Sequence, residues 1–144
     1  MVIPSGPLGA LACVRGEGNL KGTVKFYPVN CGTLVVAEVT GLPKSETGFF
    51  ALHIHEGERC SGVGFADTLG HFNPTGAEHP RHAGDLPPLL SQNGRAFLAV
   101  ETNRFSVWEI IGRTVVIHSG ADDFHTQPAG NAGNKIACGV IRRC

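Results

Sequence analysis

The chain has 144 residues, of which 42% are hydrophobic, so it is long enough to form one domain with a buried core. Twelve basic residues balance twelve acidic ones, which gives no support to a nucleic-acid or anionic membrane partner. No apolar run approaches the roughly 18 residues of a spanning helix, so we predict no membrane span. We expect a single domain over residues 1–144.

Short strands separated by turns are predicted along the whole chain, which contains 20 glycines and nine prolines. The segment 85–91 contains two prolines and therefore belongs at a sheet edge. Asn93-Gly94 marks a tight turn, and no helical periodicity persists for ten residues. The predicted strands, in chain order, cover residues 11–15, 20–27, 33–40, 50–55, 95–101, 113–118 and 135–142. This even spacing predicts an all-β fold, an antiparallel sandwich or barrel.

Two long segments, 56–84 and 119–134, interrupt this rhythm. Both are rich in Gly and Pro and lack the alternation of a strand. Long loops of this kind in a compact domain are usually functional or disordered. Because the first loop contains three histidines, His71, His79 and His82, we expect it to be ordered by a metal ion.

His53 and His55 lie two residues apart on a predicted strand. Side chains alternate between the faces of a strand, so both rings point the same way and can bind one ion. A single His-x-His pair is weak evidence, because such pairs also occur at ordinary surfaces.

A second group of candidate ligands follows in the first long loop. Its members are His71, His79, His82 and Asp85. Three imidazoles and one carboxylate form a tetrahedral set that suits zinc. The alternative is an exposed loop that happens to be rich in histidine.

His118 ends the apolar strand Val115-Val116-Ile117. By itself it is more typical of a structural histidine. With His53 and His55 it supplies three nitrogens, and copper(II) favours four in a roughly planar set. An imidazolate at His71, shared between the two ions, would complete both sites.

Six runs of sequence between residues 53 and 141 carry a joint pattern, which is part of a resemblance that extends from about Leu11 to Ile141. They are His-Ile-His-Glu at 53–56, Gly-His-Phe-Asn-Pro at 70–74, His-Ala-Gly-Asp-Leu at 82–86, Ile-Gly-Arg-Thr-Val-Val-Ile-His at 111–118, Gly-Asn-Ala-Gly at 130–133 and Ala-Cys-Gly-Val-Ile at 137–141. With these runs the sequence resembles the copper/zinc superoxide dismutases, and its short loops resemble bacterial members. The resemblance implies an eight-stranded Greek-key β-barrel or sandwich with two long functional loops.

The resemblance also implies the ligands of both metals. The residues that match copper ligands are His53, His55, His71 and His118. The residues that match zinc ligands are His71, His79, His82 and Asp85. Asp122 matches a carboxylate that hydrogen-bonds one histidine of each site and so fixes its ring.

The five cysteines form an odd set, so at least one thiol has no partner within the chain. By the resemblance, Cys60 and Cys138 match an internal disulfide between the first long loop and the last strand. Cys13, Cys31 and Cys144 match no cysteine of the family, and a second disulfide between Cys31 and Cys144 stays open.

The cysteine content favours an extracytoplasmic or secreted setting, with a cytoplasmic one as the alternative. No basic segment followed by an apolar stretch begins at Met1, so we expect no intact secretory signal there, and the earlier removal of one stays open.

The reaction implied is the dismutation of superoxide to dioxygen and hydrogen peroxide, with copper as the redox metal and zinc in a structural and electrostatic role. His71 would release its copper-side nitrogen on reduction and donate a proton as a general acid. Superoxide is an anion, so a positive entrance raises its encounter rate, an effect for which this family is a known example.

Lys135 stands where the family usually has an active-site Arg. A lysine keeps the charge but loses the planar, two-pronged donor, so we expect steering to survive and anion docking to weaken. The alternative is an ordinary exposed lysine. His71 and Lys135 are the catalytic candidates.

Three other functions are alternatives. The first is a non-enzymatic metal-binding or copper-delivery protein on the same barrel, and the second is a structural or adhesion sandwich with an incidental zinc loop. The third is a zinc hydrolase, which is disfavoured because four protein ligands leave no open position for water. The oligomeric state stays open, with a homodimer as one option.

Overall fold

A computed structural model describes residues 6–144, which form nine strands and one four-residue α-helix. The strands are β1 (Ala10–Gly16), β2 (Lys21–Val29), β3 (Gly32–Thr40), β4 (Phe49–Phe50), β5 (Leu52–His55), β6 (Leu89–Leu90), β7 (Ala96–Thr102), β8 (Thr114–His118) and β9 (Lys135–Arg143). The helix α1 (Val107–Ile110) precedes β8, and a 3-10 segment, Val63–Thr68, lies in the first long loop. The predicted domain over 1–144 and the expectation about a signal at Met1 both extend into residues 1–5, which lie outside the described part.

Seven strands form one antiparallel sheet that curls into a half-barrel. Their order across the sheet is β5-β8-β9-β1-β2-β3-β7, and a small sheet of β4 and β6 stands beside it. Neighbours that are not consecutive in the chain, such as β1 with β9 and β3 with β7, require Greek-key crossovers. The predicted all-β class is therefore confirmed.

The predicted strand 50–55 is divided at Ala51 into β4 and β5. The Ala51 N–H donates to the carbonyl of Gly120, while its own carbonyl accepts from the His118 N–H. The chain thus leaves the small sheet and joins the large one at this residue. With β4 and β5 counted as the single strand predicted, the described part has eight strands.

The core lies on the inner face of the curled sheet. Along β1, Ala10, Ala12 and Val14 are buried while Cys13 and Arg15 are exposed, the period of two that a sheet with one apolar face requires. None of the helices within residues 6–144 has the length and apolar character needed to cross a bilayer.

β5 and β8 are buried on both faces, unlike β1. Leu52 and Ile54 join the core, so His53 and His55 occupy the outer face of the sheet. The first long loop covers that face, because the Phe72 N–H donates to the carbonyl of Ile54 at 2.8 Å. Gly84 is needed here, since a Cβ at this position would meet the Ile54 carbonyl oxygen. The loop thereby encloses a polar layer outside the barrel.

Candidate metal centre

Three of the predicted ligands belong to the paired strands β5 and β8. His53 lies opposite Val116, and His118 is two residues further along the same strand, so the side chains of His53, His55 and His118 share one face. The pairing of β8 with β9 shifts register between Ile117 and His118, which leaves Ile136 as an extra residue in β9. All three rings are buried.

A first group of ring nitrogens converges on this face. Its members are His53, His55, His71 and His118, whose candidate ligand atoms all lie within 4.8 Å of one another. His55 Nε2 and His118 Nε2 are 3.2 Å apart. His53 Nδ1 and His71 Nε2 are buried and have no hydrogen-bond partner. Four imidazole nitrogens in this arrangement suit a copper ion.

A second group surrounds the carboxylate of Asp85. His71 Nδ1 lies 2.7 Å from Asp85 Oδ1 and 3.1 Å from His82 Nδ1. His79 Nδ1 and His82 Nδ1 lie 3.1 and 3.2 Å from Asp85 Oδ2. A tetrahedron with bonds of about 2.0 Å to a central zinc has edges of about 3.3 Å, close to these distances.

His53 also lies near this second group, since its ligand atom falls within 4.8 Å of those of His71, His79 and Asp85. His82 Nδ1, by comparison, lies 3.1 Å from His71 Nδ1 and 3.2 Å from Asp85 Oδ2. His53, unlike His82, is already a member of the first group. The distances therefore favour His82 as the fourth member around Asp85.

His71 belongs to both groups, and its two ring nitrogens differ in their contacts. Nδ1 contacts Asp85 and His82, whereas Nε2 has no partner. Its ring centroid lies 4.0 Å from that of His53 and 4.8 Å from that of His55. A single imidazole is thus placed between two potential metal sites.

Hydrogen bonds to the remaining nitrogens fix the other rings. His55 Nδ1 donates to the carbonyl of Leu69 at 2.8 Å. Asp122 accepts from His53 Nε2 at 2.9 Å and from His79 Nε2 at 2.8 Å, so one carboxylate orients one ring of each group. In each of these three rings the other nitrogen is left without this bond and can bind a metal ion, as is typical of metal-binding histidines.

Burial dominates the electrostatics of the rings. It lowers the pKa of His55 to about 2, and it lowers the pKa of His118 to about 3 with help from the nearby His53. Burial acts in the opposite direction on Asp122, but hydrogen bonds from His53 and His79 outweigh it and hold the pKa of that carboxyl below its usual value. The rings of His55 and His118 are therefore neutral, and the Asp122 carboxylate is ionised.

Lys135 begins β9 and reaches across to the first long loop. Its Nζ donates to Thr68 Oγ1 at 2.7 Å and to the carbonyl of Leu69 at 3.0 Å. The same Leu69 oxygen accepts from His55, so the ammonium lies beside the first group. Burial lowers the pKa of Lys135.

The predicted disulfide is present between Cys60 and Cys138, with a Cα–Cα distance of 5.7 Å, and it ties the first long loop to β9. Cys13, Cys31 and Cys144 are exposed and free, so Cys31 and Cys144 do not pair in the structure.

Several contacts to the site have no signal in the sequence. Thr68 and Leu69 anchor Lys135, while Gln127 and Arg104 contact the main chain around His79 and His82. Their partners lie far away along the chain.

The comparison with known proteins agrees with this geometry. The family model described as copper/zinc superoxide dismutase (SODC) matches residues 20–141. The chain belongs to the copper/zinc superoxide dismutase family. It is therefore an enzyme of this class, with copper and zinc as its cofactors, and its two histidine groups can bind metal ions.

Relatives within this superoxide dismutase family come from bacteria and from animals. The chain is 37% identical to Cu-Zn superoxide dismutase 2 of Aquifex aeolicus over 90% of this chain and 83% of that protein. It is 37% identical to the Cu-Zn superoxide dismutase of Deinococcus radiodurans over 87% and 79% of the two chains. It is 34% identical to the copper chaperone for superoxide dismutase of Homo sapiens over 93% of this chain, but it spans only 53% of that protein.

Proposed function

We propose that the chain converts superoxide to dioxygen and hydrogen peroxide at a copper ion that an imidazolate of His71 joins to a zinc ion. The observation that carries this proposal is that His71 is a member of both groups of ligands, with Nδ1 in contact with the second group and Nε2 buried without a hydrogen-bond partner. The proposed copper ligands are His53, His55, His71 and His118. The proposed zinc ligands are His71, His79, His82 and Asp85.

Buried nitrogens without partners support the presence of two cations. His53 Nδ1, His71 Nε2 and His79 Nδ1 are buried and lack any hydrogen bond. A buried polar atom left in this state costs about 1–3 kcal/mol, so three of them in one place are unusual in a folded protein. One cation in each group would give all three atoms a partner, which explains their placement.

When bound, copper would supply the redox chemistry that oxidises one superoxide to dioxygen and reduces a second to hydrogen peroxide. Zinc would keep a fixed oxidation state. The chain's own part is proton transfer and substrate binding. His71 Nε2 is the atom that can carry one of the two protons that hydrogen peroxide needs, because Nδ1 is occupied by the second group, and solvent would supply the other proton.

Lys135 is proposed to guide and bind the superoxide anion. An ammonium has three donors, and Thr68 and Leu69 accept from two of them. The third donor is left for an anion. A fixed positive charge beside the ligand His55 raises the local concentration of a small anion and its rate of encounter.

Copper delivery to another protein is the second candidate, because the chain is 34% identical to a copper chaperone for superoxide dismutase. All four members of the first group are present and converge in the structure, which supports an enzyme that retains its copper. Assays of superoxide consumption after loading with copper and zinc distinguish the two functions. A delivery protein would bind copper, release it to an acceptor and leave superoxide untouched.

The shared imidazolate is tested with copper(II) in both sites. Two copper(II) ions joined through His71 couple their spins, so the protein should give a much weaker electron paramagnetic resonance signal than two isolated ions. His71→Ala should restore the full signal. An unchanged signal intensity in the two proteins would reject the shared ring, while superoxide assays would still decide the activity.

We also propose an extracytoplasmic or secreted setting, supported by the Cys60–Cys138 disulfide. Alkylation of free thiols in intact cells tests the proposed setting. In a reducing cytoplasm both cysteines would be free thiols and would react with the reagent. The absence of a nucleic-acid partner stays a prediction, and the oligomeric state stays open with a homodimer as one option; sedimentation with and without added DNA would check both.

A further inference from the structure

The main chain of His79 is held by a side chain from the second long loop. The His79 N–H donates to Gln127 Oε1 at 2.9 Å, and Gln127 Nε2 donates to the His79 carbonyl at 2.7 Å. The two residues are 48 positions apart in the chain. A paired contact of this kind fixes both the position and the direction of the peptide at His79.

Local structure gives His79 no equivalent support. Pro80 follows it, which excludes the helical conformation, and within residues 6–144 neither its N–H nor its carbonyl bonds to another main-chain group. Its ring Nε2 donates to Asp122, which also belongs to the second long loop. Only Nδ1, the atom that faces Asp85, lacks a hydrogen bond.

The other end of the same turn is held by Arg104, from the connection between β7 and α1. Its guanidinium donates from one nitrogen to the carbonyl of Pro80 at 2.7 Å and to that of His82 at 3.2 Å. The turn 79–82 is therefore fixed at His79 by Gln127, and at Pro80 and His82 by Arg104.

We propose that Gln127 and Arg104 are positioning residues for the zinc site, which hold the turn 79–82 in its binding geometry before the metal arrives. The proposal rests on the ligand set of the proposed function. Two ligands separated by only two residues must turn sharply to face one ion, and ordering this turn during binding would reduce the affinity. Hydrogen bonds that orient metal ligands typically change metal affinity by about 10–100-fold when removed.

The test compares zinc affinity, measured by chelator competition, in the full chain and its variants. Gln127→Met keeps the length of the side chain but removes both hydrogen bonds, and Arg104→Ala removes the other contact. Each should weaken zinc binding by roughly 10-fold or more, shift the visible absorption of cobalt(II) in the same site, and leave copper affinity at the other site unchanged. Arg104→Lys keeps a donor and should recover part of the loss.

Two matched controls are available. Arg81 lies in the same turn and is exposed, and Gln92 lies in a distant turn. Gln92 is exposed as well. Arg81→Ala and Gln92→Met should therefore bind zinc like the unaltered protein.

The positioning role is overturned if Gln127→Met and Arg104→Ala retain the zinc affinity of the controls, or if copper affinity falls in parallel with zinc affinity. It is also overturned if Arg104→Lys behaves like Arg104→Ala while both remain folded. Failure of the proposed function has a different signature. In that case the unaltered protein itself would bind cobalt(II) without the absorption of a tetrahedral site.

Discussion

Lys135 Nζ lies 3.0 Å from the carbonyl oxygen of Leu69, the same oxygen that accepts a hydrogen bond from His55 Nδ1. One main-chain carbonyl therefore fixes both a proposed copper ligand and the positive charge beside it. The loop that carries this carbonyl is itself tied to β9 by the disulfide. The contact explains how a lysine can occupy a defined place at the site despite its flexible side chain.

Lys135 should control the rate of encounter with superoxide. Lys135→Met removes the charge, and we expect kcat/KM to fall by about tenfold or more and to lose much of its dependence on ionic strength. Lys135→Arg keeps the charge and adds donors, so activity should be unchanged or higher. Pulse radiolysis at several salt concentrations measures both effects. Lys44→Met, at an exposed lysine, is the control, and a clear fall in activity for Lys135→Arg would contradict this role.

Asp122 should matter for metal affinity because it orients one ring in each group. Asp122→Asn keeps the shape but loses the charge and one acceptor, so zinc affinity should fall by about 10–100-fold. Chelator competition measures the change. The control is Asp123→Asn. The Asp123 carboxylate contacts only its own turn at residues 125 and 126, so this variant should leave zinc binding intact. Equal losses in the two variants would mean that the effect comes from the loop rather than from the rings.

The metal-free protein should lose stability as the pH falls below 6.5. The folded-state pKa values of His55 and His118 are about 2 and about 3, below the ordinary value of 6.5, so between these values the unfolded chain binds more protons than the folded one. The contribution of these neutral rings to the free energy of unfolding is fully present above pH 6.5 and decreases as the pH falls towards 3. Asp122, whose pKa is also lowered, adds a loss in the same direction at lower pH.

Urea unfolding of the metal-free protein between about pH 8 and pH 4 checks this dependence. The free energy of unfolding should be constant at the upper end and fall steadily below pH 6.5. His125→Ala, at an exposed histidine, should not change the profile. A flat profile down to pH 4 would show that the buried rings accept protons in the folded state.

The Cys60–Cys138 disulfide should be a major source of stability. It joins residues 78 positions apart, and the chain-entropy model gives about 4–5 kcal/mol for closing such a loop. Cys138→Ser should lower the free energy of unfolding by an amount of this order in denaturant titrations. Cys13→Ser, at an exposed free thiol, should have no comparable effect. Equal stability of the unaltered protein with and without a reducing agent would argue against the contribution.

The strands were largely predictable because alternation of apolar and polar residues is a local property. The pattern along β1 and the turn at Asn93-Gly94 are examples. The division of 50–55 was not predictable, since Ala51 changes sheets through bonds to Gly120 and His118, which lie far away in the chain. The contacts of Gln127 and Arg104 were missed for the same reason: a polar residue in a loop carries no local sign of its partner.

The kinds of donors, and the spacing that puts His53 and His55 on one face, can be read from the amino acids alone, because side-chain direction along a strand follows from the backbone. The matching runs are also enough to indicate the family. That His71 is a member of both groups, that Asp122 binds a ring of each, and that Lys135 shares a carbonyl with His55 are consequences of folding. These relationships join segments separated by tens of residues, and their distances depend on how two loops pack against the outer face of one sheet.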